Sequence, residues 1–459
     1  MDIILTLVQL GLMALAKRSR LREPQSFMTT FDTIIVGAGI SGLAAADVLS
    51  KAGQAVLVLE ASERAGGRVR IVSYNGDSAE AGGQGIHSNY TQMLRLVDEN
   101  GLMGDLIPAP EKSEYLDKNG RARISRAPED LALMVGPRGV AELAAFRTKY
   151  FTMAKPNPQF EIAKDIPEYD DVTAAEAFAK YSKPFQDFML RPLTHAMANT
   201  TPETTNLYYV VNGLKLALTT KISSLAGGNV RLMEKMAQKS NVLYGAPVET
   251  VLSTQGVVDG VQLADGRTFK AKHVIVTTTA GAAGRILTDE FQPAKSYLTD
   301  FPHVGLPLPF FFLDRPIEKE AVRFYGHPNR DAAFNMAMNH VRKTPHLAPS
   351  GNAIISAWPA FPHTVELMKK TDDEIIQQAL AEVEAFVPGI RGWIAHATVV
   401  RHNWAVGRYP TGSVRKVLDF KAYAAGLKGI SFAGTDYNFL HMEAGILSAQ
   451  RAAQRALAS

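Results

Sequence analysis

Three glycines and one acid near the start of the chain have the types and spacing for nucleotide binding. Gly37, Gly39 and Gly42 form a G-x-G-x-x-G pattern between a β-branched strand and an Ala-rich helix. Such glycines allow a tight turn and let the backbone approach a pyrophosphate, which the N–H groups of the helix can hold. Glu60 ends the next apolar strand, where an acid accepts hydrogen bonds from ribose hydroxyls. The pattern predicts a dinucleotide site. The alternative is a glycine turn that serves the fold alone.

A second glycine-rich turn, Gly66-Gly67-Arg68, follows Glu60 closely. With the first turn, it resembles the signatures of the flavin amine oxidase superfamily, which includes monoamine and polyamine oxidases, protoporphyrinogen oxidase and the carotenoid desaturases. In that superfamily the Gly-Gly-Arg turn lies against the FAD diphosphate and the flavin, so the resemblance implies FAD rather than NAD. It also assigns four neighbouring residues to the cofactor site: Ile40, Ser41, Ala61 and Arg64.

Later segments resemble further parts of the same cofactor site. The loop with Gly83 and Gln84 is similar to the superfamily's flavin-side loop, and Val248 matches a residue that meets the adenine through its backbone. Near the C-terminus, the turn Gly434-Thr435-Asp436 and then Met442 resemble the closing motif. In that motif a turn holds the diphosphate and ribityl chain, and the next helix points at the flavin. The resemblance covers residues 31–457.

The order of the elements and the resemblance together imply an α/β fold. We expect a Rossmann-like (GR2-type) FAD-binding domain with a discontinuous α+β substrate-binding domain. The predicted limits are 31–110, 225–290 and 395–459 for the first, and 111–224 and 291–394 for the second. Pro307 and Pro309 lie in the apolar run 304–313 and predict a bulged or edge strand, because proline cannot donate a ladder hydrogen bond.

The chain departs from the amine oxidases of the superfamily at three places. Those enzymes carry a lysine in the strand after the second insertion, and the matching run 304–313 has none. The positions of the two tyrosines that frame the flavin in monoamine oxidases are held by Ala405 and His441. These departures argue against a simple primary-amine oxidase and favour the branch with protoporphyrinogen oxidase and the carotenoid-type desaturases.

Two residues are predicted to face the flavin as catalytic groups, His441 and Trp404. His441 would orient substrate or shuttle a proton, since the ordinary pKa of histidine is near 6.5. Trp404 lies beside Ala405, the first of the two replaced tyrosine positions, and either lines the cavity or is an ordinary core residue. His87, in the loop after Gln84, is either a cavity residue or a hydrogen-bonded loop histidine.

The sequence therefore predicts an FAD-dependent oxidoreductase. The expected reaction is hydride transfer from a C–N or C–C bond of a largely apolar small molecule to flavin N5, with O2 or another acceptor reoxidising the flavin. One alternative is a carotenoid- or protoporphyrinogen-type desaturase that acts on a membrane-associated substrate. The other is a flavoprotein without catalysis.

Composition excludes several other classes. The 459-residue chain has no cysteine, so disulfides, thiolate metal sites and a cysteinyl–flavin bond are excluded, and the FAD should be held non-covalently. The formal net charge of +4 comes without a long basic run and gives no reason to expect nucleic acid binding. The eleven histidines are scattered without paired ligand spacing, so no metal is predicted. A homodimer is left open.

The first residues have an unusual pattern. Residues 3–16 are almost continuously apolar, and a basic cluster follows at residues 17–22. As a helix this apolar run would reach about 21 Å, which is short of the ~30 Å hydrocarbon core of a membrane. We expect residues 1–30 to be either a membrane-associated helix, with surface contact through residues 3–22 and a cytoplasmic body, or an apolar extension.

Overall fold

The computed structural model describes residues 30–110, 112–125, 128–152, 160–330 and 332–459. The predicted N-terminal membrane-associated helix or extension lies outside these residues. Among the helices in the described ranges, none is long and apolar enough to cross a membrane.

Within these ranges the chain forms nineteen strands and sixteen α-helices, besides short 3₁₀ and π turns. The strands are β1 Thr30–Val36, β2 Val56–Leu59, β3 Ile71–Tyr74, β4 Asp77–Glu80, β5 Ile86–His87, β6 Leu106–Pro108, β7 Ser113–Leu116, β8 Ala122–Ser125, β9 Ile222–Leu225, β10 Val242–Leu243, β11 Val248–Thr254, β12 Val257–Leu263, β13 Thr268–Val276, β14 His303–Leu313, β15 Arg323–Tyr325, β16 Met336–Asn339, β17 Ile354–Trp358, β18 Ile394–Gly407 and β19 Ile430–Phe432. The helices are α1 Ile40–Lys51, α2 Thr91–Glu99, α3 Pro128–Arg147, α4 Pro167–Asp170, α5 Ala174–Ala177, α6 Lys183–Phe185, α7 Arg191–Ala198, α8 Leu207–Thr219, α9 Val230–Gln238, α10 Ala280–Ile286, α11 Gln292–Asp300, α12 His340–Lys343, α13 His363–Leu367, α14 Asp372–Val383, α15 Ser413–Ala425 and α16 Met442–Ala458.

The first large sheet contains the nucleotide-type unit that the glycine pattern predicts. Its strand order is β10-β2-β1-β13-β12-β11, with β19 paired to β13. Strands β10, β2, β1, β13 and β19 are parallel, and their side chains are mostly apolar and buried because helices cover this part of the sheet. Helices α1 and α16 pack together on one face, so the first and last motifs of the chain become neighbours.

The second large sheet has the order β18-β14-β17-β16-β15-β7-β8. The register of β14 against β18 shifts between Val304 and Leu306, where the extra residues are on β18, so the predicted bulge lies on the partner strand and before the prolines. It pairs with β18 along its length but with β17 only from Phe310 to Phe312, so its proline half has one neighbouring strand. The predicted edge strand is therefore an edge only over this half.

The predicted domain limits differ from the sheets at two places. Strand β9, which falls mostly in the predicted substrate-binding range, pairs with β5 and β6 of the predicted FAD-binding range. Strand β18 lies in the second sheet, although residues from 395 onward were assigned to the FAD-binding domain. The reason is the long antiparallel ladder with β14, a pairing across about ninety residues that no local pattern indicates. The other limits stay a prediction.

Candidate active site

The first glycine turn connects β1 to α1 and leaves no room for a side chain at Gly42. A Cβ built on Gly42 would lie 1.9 Å from the Gly37 carbonyl oxygen, so helix α1 can begin this close to the strand only with glycine there. A Cβ on Gly39 would meet nothing within 4 Å, so the space above the turn is open. The turn thus has a closely packed lower side and an open upper side, as a cradle for a diphosphate requires.

Glu60 lies at the end of β2 beside this turn. Its Oε2 accepts a hydrogen bond from the Ala38 N–H at 2.8 Å, and its Oε1 accepts from the Ser62 N–H at 2.9 Å. The Ala246 N–H donates to the Glu60 carbonyl at 2.9 Å, which brings the start of β11, and with it Val248, next to the acid. The predicted ribose and adenine residues therefore lie together at the edge of the open space.

The second glycine turn packs directly against the first. Gly39 and Gly66 form a β-bridge, and a Cβ on Gly67 would lie 3.5 Å from the Gly39 Cα. Arg64 folds back over this turn and donates to the carbonyls of Ala65, Val69 and Gly67 at 2.9–3.2 Å. The guanidinium of Arg64 therefore shapes the loop, whereas Ala61 is exposed beside it.

Arg68 connects the front of the chain to its C-terminal motif. Its guanidinium donates to the Thr435 hydroxyl and to the Ala405 carbonyl, both at 3.1 Å, and lies 3.9 Å from Asp436. A Cβ on Gly445 would lie 2.8 Å from the Ser41 hydroxyl, which shows how closely α16 meets α1. The turns that the sequence predicts to share one cofactor are thus in contact.

The carboxylate of Asp436 serves the protein itself. It is 1 % exposed and accepts hydrogen bonds from the Ala280 N–H and the His303 imidazole at 2.8 Å and from the Thr435 hydroxyl at 3.0 Å. Burial raises its pKa, but the hydrogen bond and charge of His303 outweigh burial, so the pKa lies well below the ordinary value. Asp436 was predicted as a cofactor residue. Its side chain instead braces the turn that begins at Gly434.

The helix ends around this space fit a dinucleotide. Helix α1 begins after Gly39 and α16 after His441, and no side chain caps either N-terminus. The first N–H groups of both helices are therefore available to an anionic or electron-rich ligand, and both helix dipoles favour negative charge there. Open space, glycine turns and two uncapped helices match the diphosphate and the flavin of FAD.

A cavity of about 570 Å³ lies between these turns and the second sheet. On the cofactor side it is lined by predicted residues: Arg68, Gly83, Gln84, His441 and Met442. A Cβ on Gly83 would lie 3.3 Å from the Met442 sulfur, so loop and helix meet at the cavity. The opposite wall is mostly apolar, with Leu306, Leu308, Met336 and Met338 from the second sheet. This volume is typical of a small-molecule site.

Three histidines line the cavity, His87, His402 and His441, and burial lowers the pKa of each. Burial lowers the pKa of His441 to about 3 and that of His87 to about 4. The Thr220 hydroxyl donates to the Leu216 carbonyl at 2.7 Å and therefore accepts from His87 Nδ1–H at 2.8 Å. His87 Nε2 is then a hydrogen-bond acceptor. Burial thus moves the pKa of His441 well below the ordinary 6.5, so at neutral pH its neutral imidazole can orient a substrate but is a weak base toward a proton.

Trp404 does not line the cavity. Strand β18 is irregular here, because the three residues of β14 from Val304 to Leu306 lie opposite five residues of β18, from His402 to Val406. Ala405 reaches the cavity, while Trp404 packs over Gly281 and under the Arg285 guanidinium, 4.8 Å from its ring centre. The prediction of a flavin-facing catalytic Trp404 is therefore not supported, and the alternative of a packing role fits its contacts.

Sequence reasoning missed a buried ion pair at the cavity wall. Lys343, from α12, lies 2.8 Å from Glu80 and also donates to the Gln84 side-chain and main-chain oxygens at 2.7 and 3.3 Å. The run 304–313, where amine oxidases carry a lysine, contributes leucines to the cavity, as its sequence requires. The lysine at the cavity, Lys343, comes from α12 instead. Burial lowers the pKa of Lys343, while Glu80 raises it. The ammonium holds the flavin-side loop to the second sheet. No motif around residue 343 signals this role.

The chain is similar to several known proteins. The family model of flavin-containing amine oxidoreductases matches residues 40–457. The chain belongs to that family. It is 23 % identical over 450 residues to coproporphyrinogen III oxidase of Bacillus subtilis (strain 168), covering 88 % of this chain and 93 % of that one. It is 28 % identical over 282 residues to (S)-6-hydroxynicotine oxidase of Paenarthrobacter nicotinovorans, covering 58 % of this chain and 63 % of that one, just under two thirds of its length.

The solved structures agree on the fold. An engineered double mutant of putrescine oxidase superposes with a TM-score of 0.73 at 18 % identity, covering 94 % of this chain and 99 % of that one. The predicted family, the α/β fold and the FAD cofactor of an oxidoreductase are thus confirmed. In the described residues, no group of three or more acidic or histidine side chains could hold a metal ion.

Proposed function

We propose that this protein oxidises a largely apolar small molecule at a C–N or C–C bond, with O2 as the acceptor that regenerates the flavin. The observation that carries the proposal is the cavity, because its apolar wall faces the loops predicted to hold the flavin. Bound FAD would supply the two-electron acceptor. The hydrogen of the substrate C–H bond would pass with its electron pair to the bound FAD, the second hydrogen would leave as a proton to solvent, and O2 would take up both electrons and two protons to become H2O2.

The chain's own residues would position the substrate and keep the cavity dry. Leucine and methionine side chains exclude water, which strengthens polar contacts inside the cavity. The neutral imidazoles of His87 and His441 offer nitrogen acceptors to a substrate N–H or O–H. The N-terminus of α16, next to Met442, favours negative charge on the nearby edge of a reduced flavin. These roles need no protein group that changes its protonation state.

A second candidate is a desaturase of the protoporphyrinogen type. It is supported by the match to coproporphyrinogen III oxidase over nearly the whole of that protein. The absence of a lysine on β14 points the same way, since two leucines line the cavity there. A flavoprotein without catalysis is the third reading, and it is tested by the same experiment.

The test is spectroscopic. The purified protein should be yellow with non-covalent FAD, and anaerobic addition of amines, cyclic imines and polyenes should identify a compound that bleaches the flavin. Admission of O2 should restore the colour with one equivalent of H2O2. A flavin that is reduced by dithionite but by none of these compounds would contradict the proposed catalysis. A folded protein that refuses FAD would contradict the cofactor site itself.

A further inference from the structure

One cation in the cavity has no partner in the described structure. Arg323 begins β15, between Ser113 of β7 and Met338 of β16, and lines the cavity. Among the described residues, none forms a hydrogen bond or an ion pair with its guanidinium, and it takes part in no cation–aromatic contact. An arginine presents five N–H donors, and leaving them unpaired beside apolar side chains is unfavourable.

The other cations of the cavity are already neutralised or turned away. Lys343 is paired with Glu80, and its remaining donors go to Gln84. Arg68 donates to Ala405 and Thr435. Among the described residues that line the cavity, none is an aspartate or glutamate. The cavity is therefore lined by cations without a lining carboxylate, and Arg323 is the one of them that has no ion-pair partner among the described residues.

The surroundings of Arg323 place this charge within reach of the reaction space. Strand alternation puts Tyr325 on the same face, stacked on Tyr115 with ring centres 5.0 Å apart. The positive charge of Arg323 adds to burial in lowering the pKa of His87, which lies on the loop that leads from Gln84. Arg323 thus lines the same cavity as Tyr325 and His87.

We propose that Arg323 is a specificity-determining residue that binds a carboxylate of the substrate, so that the natural substrate is an apolar molecule with an anionic end. A planar guanidinium matches a carboxylate with two parallel hydrogen bonds, and the desolvated site strengthens them. A protonated amine would meet this charge without a counter-acid. The inference rests on the proposed function, since it names the class of substrate for the same cavity.

The first experiment compares three probes of equal chain length on the FAD-loaded wild-type protein. Decanoate, decanol and decylamine are titrated by calorimetry at pH 7.5, where the carboxylate is ionised. Decanoate should bind about 10- to 100-fold more tightly than decanol, as expected for a charge-assisted hydrogen bond, and decylamine should bind most weakly. Equal affinities, or a preference for decylamine, would overturn the inference.

Variants of Arg323 then locate the effect. Arg323→Gln and Arg323→Met should each weaken decanoate by about 10-fold or more and leave decanol within 2-fold, and Arg323→Lys should fall between them. Arg267→Met, which removes an exposed arginine that is bound to Asp265, is the matched control and should bind as wild type. The visible FAD spectrum and circular dichroism confirm that each variant is folded. Unchanged decanoate affinity in folded Arg323→Gln would contradict the assignment.

The outcomes separate this inference from the proposed function. If decanoate binds through Arg323 while no compound bleaches the flavin, the catalytic proposal fails and the carboxylate site stands. If an amine or a polyene bleaches the flavin and decanoate does not bind, the catalytic proposal stands and the carboxylate site fails.

Discussion

The two walls of the cavity are built in different ways. The cofactor wall consists of backbone: glycine turns in contact, helix N-termini without caps and one bridge between Gly39 and Gly66. The substrate wall consists of side chains that alternate along β7, β14, β15 and β16. A backbone wall tolerates little substitution where main chains meet, as at Gly42, because an added Cβ there meets the Gly37 carbonyl and nothing flexible can move away. A side-chain wall can change its chemistry without changing the fold, so it is where substrate preference can be altered.

The largest effect should come from adding one carbon to the backbone wall. Gly42→Ala would put its Cβ 1.9 Å from the Gly37 carbonyl, with no flexible side chain to move. We expect loss of bound FAD and a fall in the free energy of unfolding of about 4 kcal/mol or more. Absorbance at the flavin band and thermal denaturation measure both.

Gly104→Ala is the matched control for this variant, since a Cβ there meets nothing within 4 Å. It should keep its FAD and its stability. Full FAD occupancy in Gly42→Ala would show that the backbone wall is more tolerant than we infer.

The next largest effect should come from breaking the buried ion pair between Lys343 and Glu80, which connects the two walls. Lys343→Met would leave the carboxylate of Glu80 buried without its cation, at a cost of about 3 kcal/mol. Urea unfolding measures the loss, and Lys369→Met, which breaks an exposed pair with Glu366, should lose less than about 1 kcal/mol. Similar losses for both variants would mean that the buried pair adds nothing to the joining of the walls.

The third prediction concerns Asp436, a buried carboxylate of the cofactor wall. Asp436→Asn should lower the free energy of unfolding by about 2 kcal/mol at pH 7, because its hydrogen bonds to an ionised group are weakened. The folded pKa of Asp436 is depressed, so its stabilisation is present above the unfolded pKa and is lost as pH falls below about 3.8. The difference between variant and wild type should therefore narrow on acidification. A difference that widens in acid would contradict this sign.

The smallest effect concerns the histidines. His441→Ala should raise KM about 2- to 10-fold, the loss of one neutral hydrogen bond, once a substrate is known. Because the folded pKa values of His441 and His87 are about 3 and 4, neither ring titrates between pH 5 and 9. The pH profile of kcat/KM over that range should therefore keep its shape in the variant. If an inflection near pH 6.5 disappeared, His441 would be a proton carrier after all.

The two walls also differ in how well they could be predicted. The structure brings Gly37, Glu60, Gly66 and Gly83 into one region, because backbone turns require particular residue types at close spacing, and their contacts with FAD stay a prediction. Trp404 was misplaced, since a bulge between β14 and β18 decides which side chain turns inward. Arg323 and Lys343 belong to short elements without a motif, and only pairing with distant strands places them on the cavity.

The sequence by itself determined the family, the cofactor and the meeting of the first and last motifs, because these rest on local backbone geometry that few residues can satisfy. Tertiary structure decided the charge and the shape of the substrate wall. It also decided the protonation of the histidines, which burial shifts by an amount that no sequence pattern contains. A site formed by the main chain depends on local motifs and can be predicted from the sequence. A site formed by side chains of distant strands depends on long-range pairing and is visible only in the folded structure.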